Sequence, residues 1–162
     1  MSKVKIYLDT SAISHLEPPE KPSEQSHSHE MFNLIRRGLY SAYLSRVVFD
    51  EIAGCQPAKR EMLLKYISDI DFIEIPITET VLSLAKKIID QNVLPTKSIM
   101  DSQHIAAAIV AGCDYIVSWN MKHMANIRIN KGVRHITIDE GHKEIMLLPP
   151  SMLLDGGHFY ES

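Results

Sequence analysis

The stretch that decides the fold lies near the start of the chain: Lys3-Val4-Lys5-Ile6-Tyr7-Leu8, followed by Asp9-Thr10-Ser11. Polar and apolar residues alternate at first and the stretch then becomes wholly apolar, which is typical of a strand that enters a core. Aspartate, threonine and serine favour turns and helix N-caps, so they end the strand. The sequence therefore predicts a buried first strand with a carboxylate directly after it.

Segments of the same kind alternate with helical patterns along the rest of the chain. Further strands are predicted at 40–44, 72–75, 115–117 and 145–148, and helices at about 29–37, 45–53, 57–67 and 99–111, with a long one capped by Thr78. Residues 134–138 fit either a strand or a helix that Gly141 ends, and we prefer the helix. Three prolines among charges and serines predict an exposed loop over 17–26. Alternating strands and helices indicate an α/β sandwich with a mostly parallel sheet.

The composition is that of one globular domain spanning residues 1–162. Apolar residues make up 45% and charged residues 23%, which excludes a disordered chain, a collagen-like fibre and a disulfide-rich miniprotein. The longest apolar run, 105–111, has seven residues, whereas a membrane helix needs about 20. We find no signal peptide, and Cys55 and Cys113 lie too far apart for a CxxC site. A cytoplasmic protein with reduced thiols and no membrane segment is expected.

The net charge is close to zero. The chain has 17 basic and 20 acidic side chains, a balance of −3, so as a whole it does not attract nucleic acid. This weighs against a DNA- or RNA-binding module without excluding an enzyme that acts on RNA. A nucleic-acid function requires a local basic surface or a metal ion that reverses the sign of an acidic site.

Three carboxylates stand where a parallel sheet would bring them together. Asp9 follows the first strand, Glu51 lies at the edge of the apolar face of its helix, and Asp101 opens an otherwise apolar helix. Each also has an ordinary structural explanation: Asp9 as a helix cap, Glu51 as a solvated edge residue, and Asp101 as a complement to the helix dipole. Together they form a hard, oxygen-rich set suited to Mg²⁺ or Mn²⁺ and to phosphodiester hydrolysis.

Other catalytic patterns are absent from the sequence. It contains no GxxxxGK[ST], GxGxxG, HExxH or GxSxG motif. The neighbouring His27 and His29 lack a second group of ligands at a recognisable spacing, so a solvated helix start is the simpler interpretation.

Four short blocks follow one another with compatible spacing along nearly the whole chain. They are Tyr7-Leu8-Asp9-Thr10-Ser11-Ala12-Ile13, Val48-Phe49-Asp50-Glu51-Ile52, residues 100–108 (MDSQHIAAA) and residues 116–126 (IVSWNMKHMAN). Together they resemble the PIN-domain family, which consists largely of metal-dependent ribonucleases and includes toxins of VapC-like toxin–antitoxin pairs. The resemblance implies a three-layer α/β/α sandwich around a parallel sheet, an Mg²⁺ or Mn²⁺ ion at an acidic cluster, and a homodimer.

Matched residue by residue, the resemblance places the metal-binding and catalytic acids at Asp9, Glu51 and Asp101. Ser11 matches a small polar residue that supports the site by hydrogen bonding. The fourth position, usually acidic, falls on Asn120, whose amide oxygen can bind a metal or a metal-bound water but supplies no charge. This departure is expected to weaken a second metal site most.

The segment after the last of these blocks is basic. Lys122, His123, Arg128 and Lys131 either contact the RNA backbone or form a solvated helix face. Trp119 could stack on a base, but a single tryptophan beside a buried strand is more often part of the core, and we predict that it is.

The leading hypothesis is a metal-dependent endoribonuclease in which Asp9, Glu51 and Asp101 hold the ion and Asn120 completes its shell. RNA is then the substrate, and an antitoxin protein is a candidate partner. The alternative is a catalytically degenerate PIN-like regulatory module that binds RNA or protein. The asparagine at position 120 and the lack of net positive charge favour this alternative. A melting shift with Mn²⁺ separates the two.

Overall fold

Five parallel strands form one sheet in the computed structural model, which describes residues 3–17 and 21–154. They are β1 (Val4–Leu8), β2 (Tyr40–Ser45), β3 (Phe72–Ile75), β4 (Tyr115–Val117) and β5 (Met146–Leu148). Their order in the sheet is β3-β2-β1-β4-β5, and every described pairing is parallel. The central strand β1 is fully buried at Ile6, Tyr7 and Leu8. The predicted α/β class with a parallel sheet is therefore confirmed.

Within the described ranges, seven helices connect the strands and a short one, at 150–154, follows β5. The seven are α1 (Thr10–Ser14), α2 (Pro22–Arg36), α3 (Arg46–Ala53), α4 (Pro57–Ser68), α5 (Glu79–Asp90), α6 (Ile99–Val110) and α7 (Ile127–Asp139). Side chains of Asp9, Ser45, Thr78 and Asn126 cap α1, α3, α5 and α7. Helices α2 and α4 begin with proline, whose missing N–H is not needed there.

The helices cover both faces of the sheet. The chain runs from β1 to β2 and β3 in one direction and returns to β4 and β5 in the other. Because such crossovers are right-handed, α1 to α4 and α5 to α7 lie on opposite faces. Helix α7 approaches the segment that follows α5 so closely that a Cβ at Gly132 would lie 2.8 Å from Val93 Cγ1. Helix α3 contacts both α4 and α6, so it connects the two layers of helices.

The structure corrects one boundary of the sequence prediction. The predicted loop over 17–26 is shorter, because α2 begins at Pro22 and proline is well suited to a first helical turn; residues 18–20 lie outside the described residues. Residues 134–138 belong to α7, and Gly141 has a φ of 71° just after it, as expected of a glycine that ends a helix. A domain spanning residues 1–162 stays a prediction, since both termini lie outside the described ranges.

The outer edge of β5 is covered by a side chain of α7. The Leu147 N–H donates to Asn130 Oδ1 at 2.7 Å, and Asn130 Nδ2 donates to the Leu147 carbonyl at 2.9 Å. One amide side chain thus makes the two hydrogen bonds that a further strand would make.

None of the helices in the described part of the chain has the length and apolar character needed to cross a membrane. Cys55 and Cys113 are both free thiols.

Candidate functional site

The candidate site lies at the carboxyl ends of β1 and β4, where the strand order reverses. The connection after β1 leads toward β2, and the connection after β4 leads the opposite way toward β5. Adjacent strands whose connections diverge leave a crevice at their carboxyl ends. Asp9 follows β1 and the segment 118–126 follows β4, while α3 contributes Glu51 and α6 contributes Asp101.

Asp9 is the most buried of the three predicted acids, with 5% of its surface exposed. It caps α1, because its Oδ1 accepts the Ala12 N–H at 3.0 Å and the Ser11 hydroxyl at 2.7 Å. Its own N–H donates to the Val117 carbonyl at 3.2 Å, which fixes it beside β4. The helix-cap interpretation is thus correct. Both described bonds to the carboxylate use Oδ1, so Oδ2 receives none from the residues that the structure describes.

Ser11 links the loop after β1 to the segment after β4. Its hydroxyl donates to Asp9 and accepts the Trp119 N–H at 2.9 Å. The buried Ser118 hydroxyl lies 3.4 Å from the Ser11 hydroxyl and accepts the Asn120 N–H at 3.0 Å. Asp9 and the start of the second segment are therefore held in one hydrogen-bonded unit.

Glu51 is fixed by two hydrogen bonds to a single oxygen. Its Oε1 accepts the Thr10 hydroxyl at 2.7 Å and lies 2.5 Å from His104 Nε2. Burial by itself would raise the pKa of the Glu51 carboxyl, but the bond and charge of His104 and the bond from Thr10 outweigh burial and lower it. The ionised form of Glu51 is therefore the one that this environment favours.

Asp101 has the opposite balance. Burial raises the pKa of its carboxyl, and repulsion from Asp9 and Glu51 adds to this, while attraction to His104 and His123 opposes it. No hydrogen bond takes part in the balance. Asp9 and Glu51 therefore both lie within electrostatic range of Asp101.

Behind Glu51 lies a buried chain of polar side chains that sequence reasoning missed. His104, 2% exposed, has its Nδ1 2.6 Å from the Tyr7 hydroxyl, which is 2.7 Å from the Ser45 hydroxyl. Burial raises the pKa of Tyr7 above its usual range, so its hydroxyl stays neutral. The available signal was the spacing of His104 three residues after Asp101, which places both on one face of an otherwise apolar helix.

At the fourth predicted position, the side chain of Asn120 forms a hydrogen bond within its own loop. Its amide oxygen accepts the His123 N–H at 3.1 Å, and no hydrogen bond joins its side chain to the three acids within the described residues. Of the predicted RNA contacts, His123 is exposed and lies within electrostatic range of Asp101. Lys122 and Arg128 are exposed, on the loop and in the first turn of α7. The roles of all four residues stay predictions.

Trp119 is half-buried rather than part of the core, so that prediction is wrong. Its ring stacks on His15 and His27, with centroid separations of 5.8 and 6.3 Å, and its indole N–H donates to Ser28 at 2.8 Å. The helix start predicted at His27 and His29 is also misplaced, because α2 begins at Pro22. His29 is exposed, as predicted, whereas His27 is half-buried and Ser28 between them is buried.

In the described ranges, no three His, Cys, Asp or Glu side chains are arranged as a ready set of metal ligands. Of the three predicted acids, Glu51 has one oxygen, Oε1, bonded to both Thr10 and His104. A groove of about 370 Å³ lies elsewhere, between α7 and β5, and Lys131 lines it.

No family model and no curated protein matches the chain. Solved structures do match. One is a chain in the crystal structure of VapBC2 from Rickettsia felis bound to a DNA fragment from their promoter. The TM-score is 0.56 at 12% sequence identity, over 90% of this chain and 98% of that chain. At this identity the likeness concerns the fold.

Proposed function

We propose that the chain is a metal-dependent endoribonuclease of the PIN type, which hydrolyses RNA phosphodiester bonds. The observation that supports this most directly is the gathering of Asp9, Glu51 and Asp101 at one end of the sheet, where burial and then repulsion from Asp9 and Glu51 raise the pKa of Asp101. Carboxylates that repel one another beside a core are stabilised by a bound cation. The likeness in fold to the VapBC2 chain agrees with the sequence resemblance.

The residues present suit a hard divalent cation. Asp9 Oδ2, the Asp101 carboxylate and Glu51 Oε2 accept no hydrogen bond from the described residues, and these oxygens would hold the ion. Mg²⁺ keeps several waters and needs only one or two direct carboxylates, so a closed three-ligand set is not required. When bound, Mg²⁺ or Mn²⁺ lowers the pKa of a water molecule and neutralises charge on the scissile phosphate.

The chain itself would orient the acids and the RNA. Ser11 and the N-terminus of α1 hold Asp9, and Thr10 holds Glu51. His123 lies within electrostatic range of Asp101 and would meet a phosphate bound there, and Lys122 and Arg128 would contact the RNA backbone further along. The amide oxygen of Asn120 has a second lone pair and could accept a hydrogen bond from a water molecule bound to the ion.

A toxin of a toxin–antitoxin pair fits the same proposal, with an antitoxin protein as partner and a homodimer as assembly. The support for this is the likeness in fold to the VapBC2 chain. A neighbouring gene for a small DNA-binding protein, whose product co-purifies with this chain, would support it. If the two proteins are produced together and do not co-purify, the result would contradict it.

A degenerate module that binds RNA or protein is the second candidate function. Two observations favour it. The side chain at position 120 is an asparagine that forms a hydrogen bond within its own loop, and no three His, Cys, Asp or Glu side chains among the described residues are arranged to bind a metal. Such a module should show no melting shift with Mn²⁺, because only a ligand that binds the folded state stabilises it.

The deciding experiment is cleavage of a mixed pool of structured RNAs by the purified protein. The reaction is run with Mn²⁺, with Mg²⁺ and with EDTA, and the Asp101→Asn variant is tested beside the parent. Asp139→Asn is the matched control, because Asp139 is an exposed aspartate in the last turn of α7. We expect cleavage with either metal ion, none with EDTA, and loss in Asp101→Asn alone.

The result separates the candidates. Equal cleavage by Asp101→Asn and the parent would show that the acids are not the site or that the activity is a contaminant. No cleavage together with no Mn²⁺ melting shift would favour the binding module. No cleavage with a clear shift would mean that the RNA pool lacks the substrate.

A further inference from the structure

We propose that His104 is a positioning residue that holds the Glu51 carboxylate for the ion, and that Tyr7 and Ser45 hold His104 in turn. This inference rests on the proposed function, because it assigns His104 a task at the same site. His104 is not itself placed against substrate, since it is 2% exposed and lies behind Glu51.

The bonds at Glu51 determine which ring nitrogen of His104 bears a proton. An ionised carboxylate only accepts hydrogen bonds, so Nε2, 2.5 Å from Glu51 Oε1, must be protonated. The same oxygen accepts the Thr10 hydroxyl at 2.7 Å. With two donors on Oε1, the carboxylate cannot rotate freely and its Oε2 is the oxygen that remains for an ion or its waters.

The other ring nitrogen fixes the plane of the imidazole. Nδ1 lies 2.6 Å from the Tyr7 hydroxyl, which can donate to it or accept from it and therefore suits either charge state of the ring. The Tyr7 hydroxyl also bonds the Ser45 hydroxyl, which accepts the Val47 N–H at 3.2 Å. The side chains of Tyr7, Ser45 and His104 are all buried, so water does not compete for their hydrogen bonds.

This chain of bonds forms a closed circuit. It begins at Ser45, the N-cap of α3, crosses β1 at Tyr7 and α6 at His104, and returns to α3 at Glu51. The circuit ties together the three elements that supply the acids, since Asp9 follows β1 and Asp101 lies on α6. Residues that orient a metal ligand in this way typically change metal affinity when they are replaced.

Two substitutions divide the contacts of His104 between them. In His104→Gln the amide nitrogen stands near the place of Nε2 and can still donate to Glu51. In His104→Asn the shorter amide stands near the place of Nδ1, so it keeps Tyr7 and loses Glu51. We expect His104→Asn to need about 10–100-fold more Mn²⁺ for half of the melting shift, and His104→Gln to stay close to the parent.

A measurement without metal tests the bond itself. In ¹⁵N NMR spectra of the metal-free parent, we expect the His104 ring to be protonated at Nε2. A ring protonated only at Nδ1 would overturn the proposal, as would a His104→Asn variant with the Mn²⁺ response of the parent. If either His104 variant fails to fold, Tyr7→Phe keeps both His104 and Glu51 and should weaken the Mn²⁺ response in the same direction; an unchanged response would overturn it.

The two proposals fail in different ways. No Mn²⁺ shift in the parent, with Nε2 protonated, would refute the metal-dependent function and with it the task given to His104, while the hydrogen bond would stand. A normal shift in the parent that survives the loss of the Glu51 contact would leave the nuclease intact and refute the role of His104 alone.

Discussion

Replacing Tyr7 with phenylalanine should destabilise the protein far more than the loss of one exposed hydroxyl would. The Tyr7 hydroxyl is the shared partner of Ser45 and His104, at 2.7 and 2.6 Å, and all three residues are at most 2% exposed. Each buried polar group left without a partner costs about 1–3 kcal/mol. Phenylalanine avoids the burial of a hydroxyl, which offsets part of that cost. We expect the free energy of unfolding to fall by about 3 kcal/mol, which for a chain of this size lowers Tm by 6–12 °C.

Thermal unfolding by circular dichroism, in EDTA so that no ion contributes, measures this effect. Tyr43→Phe is the matched control: Tyr43 is also buried, lies directly opposite Tyr7 on β2, and its hydroxyl bonds no described residue. The control should melt close to the parent. If Tyr7→Phe melts with the control, the hydroxyl is not the shared partner that its position indicates, and the reasoning about the buried circuit is refuted.

Three further substitutions test other parts of the structure. Asp101→Asn should stabilise the metal-free protein in urea. The folded chain raises the pKa of Asp101, so this group favours folding at low pH; the parent loses that contribution as the pH rises through the folded pKa, whereas the variant should not. Gly132→Ala should lower the free energy of unfolding by about 1–3 kcal/mol in the same assay, because the new Cβ would lie 2.8 Å from Val93 Cγ1. Adding Val93→Ala to that variant should recover part of the lost stability. Asn130→Ala should lower the free energy of unfolding by about 2 kcal/mol, because it leaves the buried Leu147 N–H and carbonyl unpaired. Asn130→Asp can accept the N–H but cannot donate to the carbonyl, so its stability should lie between those of the parent and Asn130→Ala. Unchanged urea midpoints would contradict each of these expectations.

Much of the fold follows from local signals. The caps at Ser45 and Thr78 stand where the sequence predicts them, because a capping side chain bonds an N–H only two or three residues away. The early start of α2 at Pro22 escapes prediction for a local reason as well: proline is typical of loops, but it is equally suited to a first helical turn.

The site is less accessible to such reasoning. Asp9 could be placed because it ends a strand, and the rule for parallel sheets locates strand ends. The contact of Glu51 with His104 joins residues 53 apart in sequence and depends on how α3 meets α6. The half-buried position of Trp119 is unpredictable for the same reason, since its partner Ser28 is 91 residues away in sequence.

The amide of Asn130 has a consequence for how this protein can assemble. An unpaired strand edge invites another chain to add a strand, and β5 presents no such edge at Leu147 because its outward N–H and carbonyl are already bonded. At the opposite border, β3 is only four residues long and exposes Glu74, a short charged edge of the kind that resists pairing. Two copies are therefore not expected to merge into one continuous sheet.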